Sequence, residues 1–185
     1  HLSLRRQRQM CIRDSPTAFV LFLQNHDQTG NRAAGERLTV LAENTERLRA
    51  AVALQLLAPQ IPLIFMGEES GSRAPFLYFT SHTDPDLAQA VREGRQREFS
   101  AFPGFEDGGA HGVPDPNAPA TFSRSDPWQP GNDDDAQRWR TLYEALLQLR
   151  QRVIAPRLQG ARNVFGRAVG KHGVHAQWRL GDGAR

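Results

Sequence analysis

Ala18-Phe19-Val20-Leu21-Phe22-Leu23 runs without a break into Gln24-Asn25-His26-Asp27-Gln28-Thr29-Gly30-Asn31-Arg32. The first six residues are apolar on both alternating faces, the pattern of a strand buried on both sides of a parallel sheet. The residues that follow are polar, and Thr29 and Gly30 are the small ones among them. His26 and Asp27 therefore stand at the C-terminal exit of the strand. In open or closed α/β sheets that end carries the chemistry. A plainer reading of the same residues is a polar turn that caps the strand and starts a helix.

What comes next favours the first reading. Residues 44–57 carry Leu48, Val52 and Leu56 at helical spacing, with Asn44 placed as N-cap and Glu46 in the first turn. Pro59 and Pro62 stop the helix. Ile61-Pro62-Leu63-Ile64-Phe65-Met66-Gly67 then reads as a second buried strand, with Glu68 and Glu69 at its exit. Strand, helix, strand is a βαβ unit, and its two parallel strands put both polar exits on one side. On a strand, neighbouring side chains point to opposite faces, so at most one of Glu68 and Glu69 faces a pocket.

Further along, residues 84–99 read as a helix with Leu87 and Val91 inward and Arg92, Arg95 and Arg97 outward. Residues 100–132 are rich in Gly, Pro, Asp and Asn and read as an extended loop. Residues 133–153 form the clearest helix, with Trp139, Leu142, Leu146, Leu149 and Val153 on one stripe. Asp133, Asp134 and Asp135 suit the N-terminus of that helix better than a metal site. Beyond residue 163 the period changes to alternation, over Val164 to Gly166 and Val174 to Leu180, which predicts half-buried antiparallel strands.

Composition narrows the function. The chain has 185 residues and one cysteine, Cys11, so neither a disulfide framework nor a cysteine zinc site is available within it. No apolar run is long enough to span a membrane. The isoelectric point near 9.7 suggests nucleic acid, but its source argues otherwise. Arg5, Arg6, Arg8 and Arg13 against Asp14 supply +3 within the first 15 residues, which equals the formal charge of the whole chain. Those 15 residues show no structural period and no signal-peptide core. They read as a non-native or disordered leader, and the chain reads as cut at both ends. His26, His82, His111, His172 and His175 are too scattered to predict a metal centre, and no phosphate loop or nucleophile elbow is present.

The string Phe22 to Asp27 resembles the last of the short signature regions of the α-amylase superfamily, glycoside hydrolase family thirteen. So do residues 25–32 as a whole, Pro59 to Glu69, Pro75 to Thr80 and Val91 to Phe99. The resemblance covers about residues 17–180. It implies the C-terminal part of a (β/α)8 barrel over residues 17–158, with strand seven at 18–24 and strand eight at 61–66. A truncated β-sandwich would begin at 159–185. Within the family these motifs resemble the branch that hydrolyses the α-1,4-glucosidic bond next to the terminal trehalose of maltooligosyl-trehalose. A glycogen-branching or debranching relative, and a non-catalytic carbohydrate-binding remnant, remain the alternatives.

The family's retaining mechanism uses a nucleophile and an acid/base from barrel strands four and five, which the resemblance places outside this chain. Asp27 matches the third carboxylate, the transition-state stabiliser. His26 matches its sugar-binding neighbour, and Asn25, Gln28, Arg32 and Glu68 complete the expected substrate-binding set. Glu68 or Glu69 is expected in substrate contact or a structural ion pair before acid catalysis. The implied partner is maltooligosyl-trehalose or a related α-glucan. No cofactor, metal, nucleic acid or membrane is expected, and a cytoplasmic location is.

Overall fold

The computed structural model describes residues 16–100, 112–128 and 133–184; the leader at 1–15 lies outside them. In chain order the elements are β1 (Val20–Leu21), α1 (His26–Gly30), α2 (Leu38–Leu41), α3 (Thr45–Leu57) and β2 (Ile61–Pro62). There follow α4 (Pro85–Phe99), α5 (Pro119–Arg124), α6 (Asp133–Leu149), β3 (Arg162–Val169) and β4 (Gly173–Arg179). They divide into two compact units. One holds residues up to Leu23, Glu46–Leu63 and Arg140–Arg185; the other holds Gln24–Thr45 and Ile64–Trp139.

In the first unit β1 and β2 pair in parallel, with Val20 opposite Ile61 and Leu21 opposite Pro62. The ladder shows why a proline is tolerated. Ile61 N–H donates to Phe19 O and Leu63 N–H to Leu21 O, both at 2.9 Å. Pro62 falls between these donors, where its missing N–H costs no ladder bond. The strands are shorter than the apolar runs that predict them, and they are not buried on both faces: Val20 is 53% and Ile61 52% exposed. A parallel sheet needs layers on both sides to hide its side chains, and two strands of two residues leave one side open.

Helix α3 connects β1 to β2 and buries Val52, Gln55 and Leu56. Gln55 donates to Leu63 O at 2.7 Å, fixing the helix to the second strand. Beyond the C-terminus of α3, Arg150 does the work of a cap. Its guanidinium donates to the carbonyls of Leu56 (2.9 Å), Ala58 and Gln60 (2.7 Å), oxygens that have no partner of their own at a helix end. Burial lowers the pKa of Arg150. At Arg150 the regular α6 helix gives way to a π-helical turn, Arg150–Ile154, before Pro156 closes it in a single 3-10 turn. Farther on, β3 and β4 pair antiparallel with Arg162 opposite Arg179 and an irregularity between Asn163 and Phe165. Antiparallel pairing is what the alternating residues predict, but the expected half-burial is not found: β3 is exposed except at Phe165 and β4 except at Ala176, Gln177 and Trp178, which are only partly covered.

In the second unit α4 corrects two expectations. Its N-cap is Asp84, whose carboxylate accepts from Asp86 N–H (2.9 Å) and Leu87 N–H (3.4 Å). Arg95, expected outward, is only 8% exposed, and Leu87, expected inward, is 45% exposed. The Arg95 guanidinium lies 4.7 Å from the Tyr78 ring centre and 4.6 Å from that of Phe99, an attraction that strengthens out of water. It also donates to Gly30 O at 3.1 Å and to Glu98 at 2.9 Å. The apolar stripe of α4 is weak, and these aromatic and carbonyl partners decide which face turns in. Within the stretch expected as a loop, α5 forms with Pro119 in its first turn. The start of α6 at Asp133 agrees with a helix-terminal role for the three aspartates. Among the described residues no helix is long and apolar enough to cross a membrane.

Candidate functional site

The site begins where the chain leaves β1. Asn25 has extended backbone geometry and its side chain accepts Gln28 N–H at 2.9 Å, so it is the N-cap of α1. This satisfies an otherwise open donor of the first turn. The strand exit is thus a short helix, not an open turn. His26 and Asp27 are its first residues and point outward: the His26 Nε2 lies 3.2 Å from Asp27 Oδ1, and the side chains are 70% and 69% exposed. Arg32 follows the helix and donates to Glu36 O at 2.6 Å. Of the predicted residues, then, His26 and Asp27 are available to a ligand, while Asn25 and Arg32 shape the backbone around them.

Glu68 is placed differently. Gly67 takes a left-handed conformation, φ 86°, and Glu68–Ser70 forms a 3-10 turn. The chain is no longer a strand at this point, so strand alternation does not set the directions of Glu68 and Glu69. Glu68 is 6% exposed. Its Oε2 accepts Phe65 N–H at 3.1 Å. Burial raises its pKa to about 7, against the opposing pull of the Gln24 side chain, the Phe65 N–H and Arg37.

Sequence reading did not single out Arg37, which is 1% exposed. Its Nε donates to Ala74 O at 2.6 Å and one terminal nitrogen to Met66 O at 2.7 Å, and its guanidinium carbon is 5.0 Å from the Phe65 ring centre. Burial lowers its pKa, while Glu68 and Glu69 oppose that shift. Around it the segments are laced together. Leu38 N–H donates to Gln24 Oε1 at 3.0 Å, and the Thr39 hydroxyl donates to Ser72 O at 2.6 Å. Gly35 lies so close to the Phe76 backbone that a Cβ there would overlap the Phe76 carbonyl, and its φ of 62° is one that side chains resist.

Beside α1 stands an aromatic wall. Phe65, Phe76, Phe79 and Phe122 meet edge to face in succession, with centroids 5.1, 5.7 and 5.2 Å apart. A cleft of about 480 Å³ opens along it, bordered by Met66, Phe122 and Asp126 among others. Phe76 also reaches Gly30, the last residue of α1. Among the described residues no three His, Cys, Asp or Glu side chains gather as a metal site.

The chain is 42% identical over 138 residues to malto-oligosyltrehalose trehalohydrolase of Brevibacterium helvolum, a match spanning 74% of the chain and 23% of that protein. It is 44% identical over 137 residues to the enzyme of the same name from Rhizobium sp. (strain M-11), spanning 74% and 22%. It is 44% identical over 133 residues to that of Saccharolobus solfataricus, spanning 72% and 21%. The chain is homologous to the malto-oligosyltrehalose trehalohydrolases. It spans less than a quarter of the length of these curated relatives. No protein-family model matches it. Among solved structures, an α-amylase candidate from Salmonella typhimurium superposes with a TM-score of 0.72 at 42% identity, over 91% of this chain and 28% of the other. The chain therefore has an α/β fold of the α-amylase kind.

Proposed function

We propose that this chain is the part of a trehalose-releasing glycoside hydrolase that binds the sugar beside the bond to be cut. The observation that carries the proposal is the outward His26–Asp27 pair on the first turn after a parallel strand, in a chain whose relatives are trehalohydrolases. In this reading β1 and β2 are barrel strands seven and eight, α6 is the helix that follows strand eight, and β3–β4 opens a β-sandwich. The substrate is maltooligosyl-trehalose or a related α-glucan.

Hydrolysis with retention requires a carboxylate nucleophile and a carboxylic acid/base about 5 Å apart. Neither is assigned to this chain. Asp27 is the third carboxylate. Its charge faces the sugar where positive charge grows at the anomeric centre, and it stabilises the transition state more than the ground state. His26, 3.2 Å away, donates to the same sugar. Gln28 stands on the same turn. Asn25 and Arg32 hold the backbone that presents them, and Glu68 acts from beneath. The aromatic wall beside Gly30 offers flat apolar surface of the kind a pyranose face packs against.

A branching or debranching relative would share the same exit motif but would not release trehalose. The chain by itself, folded as judged by circular dichroism, is expected to show no turnover of maltooligosyl-trehalose. Trehalose release by the purified chain would contradict the assigned division of labour, since a nucleophile and acid/base would then have to lie within it.

A further inference from the structure

Helix α1 has only five residues, His26–Gly30. A single helical turn does not hold its shape unaided, because fixing the first turn costs more than its few hydrogen bonds return. Those bonds include Thr29 N–H to Asn25 O and Asn31 N–H to Asp27 O, both at 3.1 Å. At the start of the turn the Asn25 side chain closes one open donor. The other end is held from 65 residues away: Arg95, on α4, donates from Nη2 to Gly30 O at 3.1 Å. Gly30 O is one of the final carbonyls of α1, which have no partner within the helix. A cation there also complements the negative end of the helix.

Arg95 is itself fixed. It is 8% exposed, its guanidinium stands over the rings of Tyr78 and Phe99, and Nη1 meets Glu98 at 2.9 Å. Its helix is anchored in turn. Arg92 pairs with Asp115 at 2.9 Å, and the Asn117 side chain donates to Ala88 O at 3.1 Å. Glu98 lies on α4 with Arg95, so the bond to Gly30 is the one that carries the anchorage across to α1. We propose that Arg95 is a positioning residue, clamping the end of α1 and so fixing the direction in which His26 and Asp27 leave its first turn. Its value to catalysis rests on the function proposed above; the clamp does not.

The test is nuclear magnetic resonance of the full chain and three variants. Arg95→Met keeps the apolar stem and removes every donor. Arg95→Lys keeps the charge and a donor. Glu98→Gln removes the ion pair and leaves the Gly30 bond. The readout is the 13Cα shifts of residues 26–30, with residues 86–92 of α4 as control. Arg95→Met is expected to move the 26–30 shifts most of the way to random-coil values while 86–92 keep theirs. Arg95→Lys should restore them in part, and Glu98→Gln should leave them native. In an active protein that contains this sequence, Arg95→Met should lower kcat on maltooligosyl-trehalose by roughly 10-fold or more, since a displacement of ~1 Å set up far from the chemistry can cost 10²-fold. KM should change less, and Arg95→Lys should recover part of kcat. Unmoved 26–30 shifts in Arg95→Met, an equal loss in α4, or a native kcat despite moved shifts would overturn the proposal. Should Arg95→Met not fold, Arg95→Lys decides: a smaller change confined to 26–30 supports the clamp, and none, or one spread through α4, overturns it. The shifts are recorded without sugar. A native protein that releases no trehalose while the shifts respond as expected would count against the trehalohydrolase reading and leave the clamp supported.

Discussion

Asp27→Asn, in an active protein that contains this segment, is expected to lower kcat by roughly 10²–10³-fold, or ~3–4 kcal/mol of transition-state stabilisation. Substrate binding should change little. The substitution keeps the size and much of the hydrogen-bonding capacity of the side chain and removes its charge. That charge matters most when the anomeric centre becomes cationic, so the loss falls on kcat. The structure separates this from a folding effect. Asp27 is 69% exposed and its favourable interaction with the first turn of α1 is worth only ~0.3–1 kcal/mol. Turnover near normal with a lowered unfolding midpoint would make Asp27 a structural aspartate. The comparison requires kcat on maltooligosyl-trehalose and the midpoint from one preparation.

The second large effect is on stability. Arg37→Met is expected to destabilise the chain by ~3 kcal/mol, measured as a shift in the urea midpoint at unchanged slope. Methionine replaces the apolar stem but leaves the carbonyls of Ala74 and Met66 without the donors they now have. Each buried carbonyl left unpaired costs ~1–3 kcal/mol. Loss of the guanidinium near Phe65 adds to this. Arg37→Lys should fall between the two, because a single ammonium cannot reproduce the fork that serves both carbonyls. A change below ~0.5 kcal/mol for Arg37→Met, the range of an ordinary surface substitution, would show that the laced segments hold without it.

What could be read from residues alone follows a physical division. Helix 45–57 and the parallel pairing of its flanking strands were legible because they depend on local period and on chain order. His26 and Asp27 were legible as exit residues for the same reason. Residues whose environment is set by distant carbonyls were not. Arg37 finds its partners 29 and 37 residues away, and Arg150 finds its own 90 to 94 residues away. Arginine ordinarily marks a surface, so nothing local signals that Arg37, Arg95 and Arg150 turn inward. The surroundings of Glu68 were hidden for a different reason. The strand ends at Pro62, well before the apolar run does, and the left-handed Gly67 opens a 3-10 turn that carries the Glu68 carboxylate back to Phe65 N–H. Helix α5 was hidden by composition: a Pro-rich stretch reads as loop, yet Pro119 is well placed in a first helical turn.

The most direct measurement is the product formed from maltooligosyl-trehalose by an active protein that contains this sequence. Free trehalose, together with a shortened maltooligosaccharide, is the result predicted by the proposed function. A transferred glucan branch, or cleavage that leaves trehalose attached to glucose units, would place the chain with the branching or debranching relatives and contradict the account.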